Sequence, residues 1–158
     1  WNLPVVFIIE NNRYGMGTAL DRASSVKDLY QRGSAYGIPH QEVNGMDILA
    51  VREVLAEAVD HARKEKRPTL IEAETYRYRG HSMSDPAKYR SKEEVQKMRD
   101  EKDAIEHVRD LLLQGGHATD EDLKAIDRDI KAVVNESAEF AKESPEPDLS
   151  ELWTDIYA

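Results

Sequence analysis

Two polar segments of the chain carry residue types that could hold a metal ion and a phosphate group. Residues 10–18 read ENNRYGMGT, and residues 76–86 read YRYRGHSMSDP. Together they contain two side-chain amides, two guanidinium groups and an imidazole: Asn11, Asn12, Arg77, Arg79 and His81. Amide and backbone carbonyl oxygens suit Mg²⁺, and a planar guanidinium can bond two oxygens of a phosphate at once. These residue types favour a site for Mg²⁺ and a diphosphate group, although two adjacent asparagines can also form a simple turn.

Both segments follow predicted β-strands, and this arrangement would bring them together. Residues 5–9 are an apolar, β-branched run that predicts a strand buried on both faces, as in a parallel sheet. Residues 69–76 predict a second strand. Ligands of an open α/β sheet bind outside the carboxyl ends of the strands, so we expect the two polar segments to form one site. Because the first strand begins so close to Trp1 and needs neighbours, we expect the chain to be a piece of a longer protein.

The elements between these strands alternate, which indicates an α/β fold. A helix is predicted over about residues 24–36, and a short strand over residues 41–43. Asp47 is the predicted cap of an amphipathic helix that ends before Pro68. Strand, helix, short strand, helix, strand is the order typical of an open parallel sheet.

The second half of the chain is predicted to be helical. Its predicted helices cover residues 91–98, 105–112 and 119–140. Ser91 and Glu94 match a capping box that would begin the first of them. The tail carries three large side chains that would pack on a partner or on the chain's own core: Trp153, Ile156 and Tyr157. We therefore expect two parts, residues 1–90 with the polar loop 76–90, and a helical portion over residues 91–158.

The composition excludes several classes of protein. The chain has 158 residues, with 31 acidic and 22 basic side chains, a formal charge of −9 and no cysteine. The absence of cysteine excludes a disulfide scaffold, a cysteine-based zinc site and a thiol nucleophile, and it suits a reducing compartment. No apolar run approaches the roughly 20 residues of a membrane span, so no membrane segment is predicted. The negative charge, which lies entirely in residues 81–158, argues against binding of nucleic acid.

The two polar segments resemble a known family of enzymes. Residues 10–18 are similar to the end of the thiamin diphosphate motif, which starts at Gly-Asp-Gly and closes at Asn-Asn. Residues 76–86 resemble the active-site loop of the E1 α subunits of 2-oxo acid dehydrogenases, in the form typical of pyruvate dehydrogenases. The resemblance runs the length of the chain, from VNGMD at residues 43–47 to PEP at residues 145–147. It implies part of an open parallel-sheet, thiamin diphosphate-binding α/β fold, with a helical C-terminal portion.

The resemblance also implies how a metal ion would be held. Asn12 would give its side-chain oxygen to Mg²⁺, and Tyr14 would give its backbone carbonyl. The third protein ligand of the family is an aspartate in the Gly-Asp-Gly half of the motif. Only ten residues precede Asn11, too few to contain that half.

Further residues take their implied roles from the same two motifs. Met16 would wedge between the two rings of the cofactor, Arg77 would bind the diphosphate, and Ser82 is assigned to the cofactor-binding loop. Arg79 is a weaker candidate for the diphosphate. His81 would be catalytic, because an imidazole near the thiazolium ring can stabilise reacting groups or move protons. Without the motif, ordinary interpretations are a core gap-filler for Met16, a salt bridge for Arg77 and a structural role for His81.

The implied activity is the oxidative decarboxylation of pyruvate with thiamin diphosphate and Mg²⁺, and transfer of the acetyl group to the lipoyl domain of the E2 component. The implied assembly is α₂β₂, in which the E1 β subunit supplies the carboxylate that activates the cofactor. The chain alone is therefore expected to be inactive. The alternatives are the α subunit of a branched-chain 2-oxo acid or acetoin dehydrogenase, or a non-catalytic folded unit.

Regulation and location are implied less directly. Ser82 and Ser84 lie in the loop that mitochondrial relatives phosphorylate, where added charge would repel a diphosphate. Ala19 stands in place of one regulatory serine, and AKY at residues 87–89 lacks another, so control by a kinase is not expected. The bacterial cytoplasm is the expected compartment, with the mitochondrial matrix as the alternative.

Overall fold

A parallel sheet organises the first part of the chain. In the computed structural model, which describes residues 1–156, the strands are β1 (Val6–Asn11), β2 (Tyr14–Gly15), β3 (Thr18–Ala19), β4 (His40–Asn44) and β5 (Thr69–Glu74). β5 lies between β1 and β4 and is parallel to both, whereas β2 and β3 form a small separate hairpin. Asn11 of β1 and Asn44 of β4 both lie opposite Glu74 of β5, so the three strands end at the same edge.

The helices follow the predicted alternation in most places. They are α1 (Leu20–Ala23), α2 (Ile48–Glu65), α3 (Lys92–Lys102), α4 (Ala104–Gln114), α5 (Asp120–Glu143) and two 3₁₀ helices, Leu29–Tyr36 and Leu149–Trp153. Within the described residues, no helix has the length and apolar character that crossing a membrane requires.

α2 covers one face of the sheet and builds the core there. Asp47 caps it as predicted, because its carboxylate accepts hydrogen bonds from the amides of Leu49 and Ala50 at 3.0 and 3.1 Å. Its apolar side chains, spaced three and four apart, pack on alternate residues of the strands. The core is formed by Val43, Ala58 and Ile71, with Val6, Ala50, Val51, Val54, Leu55 and Ala73 packed around them.

The opposite face of the sheet holds a buried carboxylate. Glu72 is 1% exposed; its carboxylate accepts hydrogen bonds from the side-chain amide of Asn11 at 2.6 Å and the backbone amide of Tyr30 at 2.8 Å. Tyr30 lies in the 3₁₀ helix that covers this face. Gly33 of the same helix packs so closely on His40 that an added Cβ would lie 2.6 Å from the His40 Cβ. The burial of Glu72 is therefore satisfied by donors from two neighbouring elements.

The predicted helix over residues 24–36 was wrong in its first half and in its type. Ser24 is extended and its hydroxyl donates to the carbonyl of Val26, while Tyr30 gives its amide to Glu72 rather than to a helical carbonyl. A local side-chain bond and a tertiary bond thus replace the hydrogen bonds of a regular first turn.

The first strand, predicted to be buried on both faces by neighbours that this chain does not itself supply, is partly exposed here. Phe7 and Ile8 are 50% and 55% exposed. Among the described strands, β1 has β5 as its one neighbour and lies at the edge of the sheet, where its side chains are only partly covered. The strand also ends later than predicted, at Asn11 rather than residue 9.

The chain divides into two compact units, residues 1–110 and 111–158. In the first, Ser91 begins α3 by accepting a hydrogen bond from the amide of Glu94 at 3.0 Å. In the second, Thr119 and Asp122 form a complete capping box at the start of α5. The functional division between residues 1–90 and 91–158 stays a prediction, and Tyr157 lies outside the described residues.

Candidate active site

The two polar segments lie side by side at the carboxyl edge of the sheet, as expected from their positions after β1 and β5. The backbone amide of Thr75 donates to the carbonyl of Asn11 at 2.9 Å, and its hydroxyl donates to the Asn12 Oδ1 at 3.2 Å. Farther along, the guanidinium of Arg77 donates to the carbonyl of Met16 at 3.2 Å. The structure therefore joins both segments into one surface through direct hydrogen bonds.

The two adjacent asparagines have different environments. Asn11 is buried; besides its bond to Glu72, its Oδ1 accepts from the amide of Arg13 at 3.0 Å, so it shapes the loop. The Asn12 side chain instead lies at the surface of the loop, where its amide nitrogen donates to Glu10 at 3.1 Å. The Oδ1 of Asn12 accepts one hydrogen bond and has a second lone pair for a cation.

The hairpin β2–β3 presents Met16 at its turn. Arg13 and Met16 have positive φ angles of 65° and 54°, which tighten the chain on either side of Tyr14. Arg13 is held by a salt bridge to Glu74. Met16 is 64% exposed, so within the described residues it does not fill a gap in a core. Its exposed thioether is available to a ligand above the hairpin.

A cluster of three tyrosines surrounds the guanidinium of Arg90. The Arg90 Cζ lies 5.9 Å from the ring centre of Tyr14, 5.1 Å from that of Tyr76 and 5.7 Å from that of Tyr89. Its nitrogens also donate to the carbonyls of Arg77 and, at 2.8 Å, of Arg79. Arg90 therefore ties the ends of the loop together and fixes the position from which Arg77 extends.

Glu94 joins the tyrosine cluster to α3. It accepts hydrogen bonds from the hydroxyls of Tyr76 at 2.8 Å and Tyr14 at 3.2 Å. Burial, followed by the bond to Glu94, raises the pKa of Tyr76 to about 12, and burial and Glu94 also raise the pKa of Tyr14. Both phenols therefore remain protonated donors. Because the Glu94 carboxylate bonds these two tyrosines, it does not complete the capping box that the sequence predicts with Ser91. No local sequence pattern indicated that Glu94 would bind the tyrosine hydroxyls.

His81 is held by Asp85, four residues farther along. One carboxylate oxygen of Asp85 accepts from the His81 Nδ1 at 2.9 Å and from its backbone amide at 3.1 Å. The same oxygen also accepts a hydrogen bond from the Tyr89 hydroxyl at 2.9 Å. The second carboxylate oxygen of Asp85 accepts one from the backbone amide of Ala87 at 2.8 Å. The Ala87 bond, then the His81 bond, lowers the pKa of Asp85. An ionised carboxylate only accepts, so Nδ1 carries the proton in the neutral imidazole and Nε2 is its basic nitrogen.

Close backbone packing holds the loop in this shape. A Cβ added to Gly80 would lie 2.5 Å from the carbonyl oxygen of Asp85, and one added to Gly17 would lie 2.9 Å from the ring of Tyr89. The hydroxyls of Ser82 and Ser84 are 3.0 Å apart at the exposed tip. The glycines thus permit contacts that the Asp85 and Arg90 interactions then stabilise.

The residues present fit the implied metal and diphosphate in part. Asn12 and Tyr14 supply hard oxygen donors from one loop, as Mg²⁺ prefers. Arg77 is half-buried and makes long bonds, 3.2 and 3.3 Å, to the backbone carbonyls of Met16 and Arg79, so its guanidinium can exchange them for phosphate oxygens. The sequence singled out Asn12, Arg77 and His81, but it did not indicate the supporting bonds of Glu10, Thr75 or Asp85.

Comparison with known proteins shows the family to which the chain is similar. The model of the dehydrogenase E1 component family matches residues 1–150. The chain is 57% identical over 156 residues to the pyruvate dehydrogenase E1 component subunit alpha of Rhizobium meliloti, covering 99% of the chain and 45% of that protein. The subunit of the same name from Rickettsia bellii is 46% identical over 157 residues, with 48% of its length covered. The testis-specific mitochondrial form from Rattus norvegicus is 49% identical over 158 residues, with 40% covered. The chain spans less than half the length of these relatives.

Proposed function

The chain belongs to the dehydrogenase E1 component family, and we propose that it serves in the α subunit of a thiamin diphosphate-dependent pyruvate dehydrogenase. The observation that carries this proposal is the meeting of two loops at one sheet edge, where Thr75 contacts Asn12 and Arg77 contacts the Met16 carbonyl. The names of the relatives support pyruvate as the substrate.

The cofactor would be bound by residues of both loops. Asn12 Oδ1 and the Tyr14 carbonyl would hold Mg²⁺, and Arg77 would hold the diphosphate. Met16 would support the bent cofactor from the turn of the hairpin, with Ser82 in the facing loop. When bound, thiamin diphosphate supplies a carbon nucleophile and an electron sink for the decarboxylation of a 2-oxo acid.

His81 would manage protons beside the reacting groups. Asp85 holds the imidazole through Nδ1, which leaves Nε2 as the nitrogen that accepts or returns a proton. The same carboxylate bonds the backbone amide of His81, so the ring and its attachment are oriented together. In this role His81 is the catalytic residue and Asp85 is its positioning residue.

The proposed assembly and location follow from the same family. The relatives are named as the alpha subunit of a component, which supports assembly with a partner E1 β subunit. The α₂β₂ stoichiometry and transfer of the acetyl group to the lipoyl domain of E2 are part of the proposal. Relatives from Rhizobium and Rickettsia support the bacterial cytoplasm, and the rat relative keeps the mitochondrial matrix as the alternative.

The metal assignment is tested by replacing Asn12 in the complete α subunit assembled with the β subunit. We expect Asn12→Ala to weaken Mg²⁺-dependent binding of thiamin diphosphate by at least about tenfold, because it removes one oxygen ligand. Asn44→Ala is the matched control, since Asn44 ends a strand at the same edge but lies outside the two loops. Titration calorimetry at several Mg²⁺ concentrations measures both, and unchanged affinity for Asn12→Ala would refute the assignment.

The choice of substrate is tested by steady-state kinetics of the same assembly. Pyruvate should give a higher kcat/KM than branched-chain 2-oxo acids or acetoin. A preference for a branched-chain acid or for acetoin would replace pyruvate in the proposal while keeping the cofactor. Absence of thiamin diphosphate binding by the wild-type assembly would favour a non-catalytic folded unit instead.

A further inference from the structure

Glu72 is a buried carboxylate that the proposed chemistry does not use. It lies in β5, is 1% exposed, and bonds the 3₁₀ helix Leu29–Tyr36 on one face of the sheet. Desolvating a carboxylate is costly, and an apolar side chain of similar size often stabilises a buried position at least as well. Stability of the core therefore does not explain why a glutamate occupies this position.

The Glu72 carboxylate holds the side-chain amide of Asn11 in one orientation. Asn11 is two positions beyond Ile9, the residue of β1 that lies opposite Glu72, so both side chains are on the same face of the sheet. The Asn11 Nδ2 donates to one oxygen of Glu72 at 2.6 Å, and the Asn11 Oδ1 accepts from the backbone amide of Arg13 at 3.0 Å. Turning the Asn11 amide over would place a donor against the Arg13 amide and an acceptor against the carboxylate.

The hydrogen bonds of Asn11 fix the backbone that carries both proposed metal ligands. Asn12 lies between the two residues that the Asn11 Oδ1 bond joins, and Tyr14 follows them directly. Arg13 has a φ of 65°, in the left-handed region that is costly for a residue other than glycine, so this turn needs support from its neighbours. The turn is therefore held through Asn11, and the Asn11 side chain is held through Glu72.

The second oxygen of Glu72 connects the same loop to the rest of the first unit. It accepts a hydrogen bond from the backbone amide of Tyr30 at 2.8 Å. The ring of Tyr30 packs beside that of His40 on β4, with 5.9 Å between the ring centres. Both oxygens of the carboxylate thus have a donor, and Glu72 is itself anchored by elements outside the metal-binding loop.

We propose that Glu72 is a positioning residue of the metal site: by holding the Asn11 amide, it shapes the loop so that both Mg²⁺ ligands reach one ion. The ligands are those of the proposed function, the Asn12 Oδ1 and the Tyr14 carbonyl, and the inference rests on that proposal. Replacing a residue that orients a metal ligand typically lowers metal affinity by roughly 10- to 100-fold.

An exchange of two side chains tests the proposal in the complete α subunit assembled with the β subunit. Glu72→Gln breaks one hydrogen bond in either orientation of its amide, because the new NH₂ group faces the amide of either Asn11 or Tyr30. Asn11→Asp alone places two carboxylates side by side. The double variant Asn11→Asp/Glu72→Gln restores all three bonds, since the new glutamine can donate to the new aspartate and still accept from Tyr30.

The dependence of cofactor binding on Mg²⁺ is the main measurement. We expect Glu72→Gln to raise the Mg²⁺ concentration for half-maximal binding of thiamin diphosphate by at least about tenfold, and the double variant to return it close to the wild-type value. Excess Mg²⁺ should restore full binding to Glu72→Gln, which a general loss of structure would not permit. Thr69→Val is the matched control, since Thr69 is buried on the same strand and its hydroxyl has no hydrogen-bond partner within the described residues.

Hydrogen exchange over residues 10–16 without Mg²⁺ gives a second readout, which should become faster in Glu72→Gln and return to the wild-type rate in the double variant. If Glu72→Gln does not assemble, Asn11→Asp is compared with the double variant in the same way. Wild-type Mg²⁺ dependence in Glu72→Gln, or a defect that the double variant does not repair, would refute the positioning role alone. Absence of Mg²⁺-dependent binding by the wild-type assembly would instead refute the proposed function, and this inference with it.

Discussion

A single carboxylate organises the loop that presents His81. Asp85 accepts hydrogen bonds from the His81 ring and backbone, from the Ala87 amide and from the Tyr89 hydroxyl. The side chain of Asp85 is 8% exposed, and that of His81 is 38% exposed. The orientation of the accessible His81 imidazole therefore depends on the Asp85 carboxylate, which is itself shielded from solvent.

Removing the negative charge of Asp85 should affect turnover more than substrate binding. In the assembled enzyme, we expect Asp85→Asn to lower kcat on the order of a hundredfold with a smaller change in KM, because the imidazole loses its fixed tautomer. Asp21→Asn is the control, since Asp21 pairs with Lys27 on the exposed surface. Steady-state kinetics measures both variants, and an unchanged kcat for Asp85→Asn would show that Asp85 does not position a catalytic imidazole.

The same substitution should change the dependence of stability on pH. The pKa of Asp85 is lower in the folded chain than the value of about 3.9 expected when unfolded. Its ionised form therefore stabilises the fold above about pH 4, and this contribution is lost as the pH falls toward the folded pKa. Thermal melts should find Asp85→Asn less stable than wild type at pH 7, with the difference shrinking below about pH 4. A constant difference would contradict the assigned hydrogen bonds.

At the level of elements, the tyrosine cluster connects three parts of the first unit. Tyr14 belongs to the β2–β3 hairpin, Tyr76 follows β5, and Glu94 lies in the first turn of α3. Arg90 lies among the rings and bonds the carbonyls of Arg77 and Arg79. The loop between β5 and α3 is thus anchored at both ends, and its tip is shaped by glycine contacts.

The close approach at Gly80 can be tested against Gly15. A Cβ at Gly80 would overlap the Asp85 backbone, whereas one at Gly15 would meet nothing within 4 Å. We expect Gly80→Ala to destabilise the loop by about 1–3 kcal/mol, the usual cost of overpacking. Hydrogen exchange over residues 76–90 should become faster in Gly80→Ala and remain unchanged in Gly15→Ala. Equal protection in all three proteins would show that this packing does not hold the loop.

At the level of the whole molecule, the sheet has one apolar and one acidic face. α2 packs on the first, while the second carries Glu72 at its centre with Glu42 on a neighbouring strand. Partial desolvation of its carboxylate, which stays exposed at the surface of the sheet, and then the charges of Glu74, Glu72 and Asp28 raise the pKa of Glu42. Ionising Glu42 therefore opposes folding, the reverse of the effect at Asp85.

Neutralising Glu42 should stabilise the chain at neutral pH. The unfolded pKa of a glutamate is about 4.3, and the folded value is higher, so stability falls as the pH rises through this window. We expect Glu42→Gln to raise the free energy of unfolding at pH 7 by roughly a few tenths of a kcal/mol, a small effect because the side chain is exposed. Urea unfolding should show no gain in the free energy of unfolding for Glu42→Gln near pH 4. The control variant Glu57→Gln, on α2, should show no gain at pH 7. Destabilisation at pH 7 would contradict the assigned repulsion.

Most of the fold could be predicted from local patterns. The alternation of strands and helices, the Asp47 cap and the parallel sheet are confirmed, because each depends on spacing that the sequence displays directly. The 3₁₀ helix at Leu29–Tyr36 could not be predicted, since its form depends on contacts of Tyr30 with Glu72 and of Gly33 with His40. Those partners are on other strands and leave no periodic signal.

The sequence alone determined the chemistry that is available: two asparagines at the end of one strand, an arginine and a histidine after another, and no thiol. Only the tertiary structure decided which atoms do what. It buried Asn11 against Glu72 and left Asn12 at the loop surface, and it moved Glu94 from a helix cap to two tyrosine hydroxyls. The physical reason is that residue type and spacing determine which local hydrogen bonds can form. When a local and a distant partner compete for the same side chain, the bond forms with the partner that the folded backbone brings within about 3 Å.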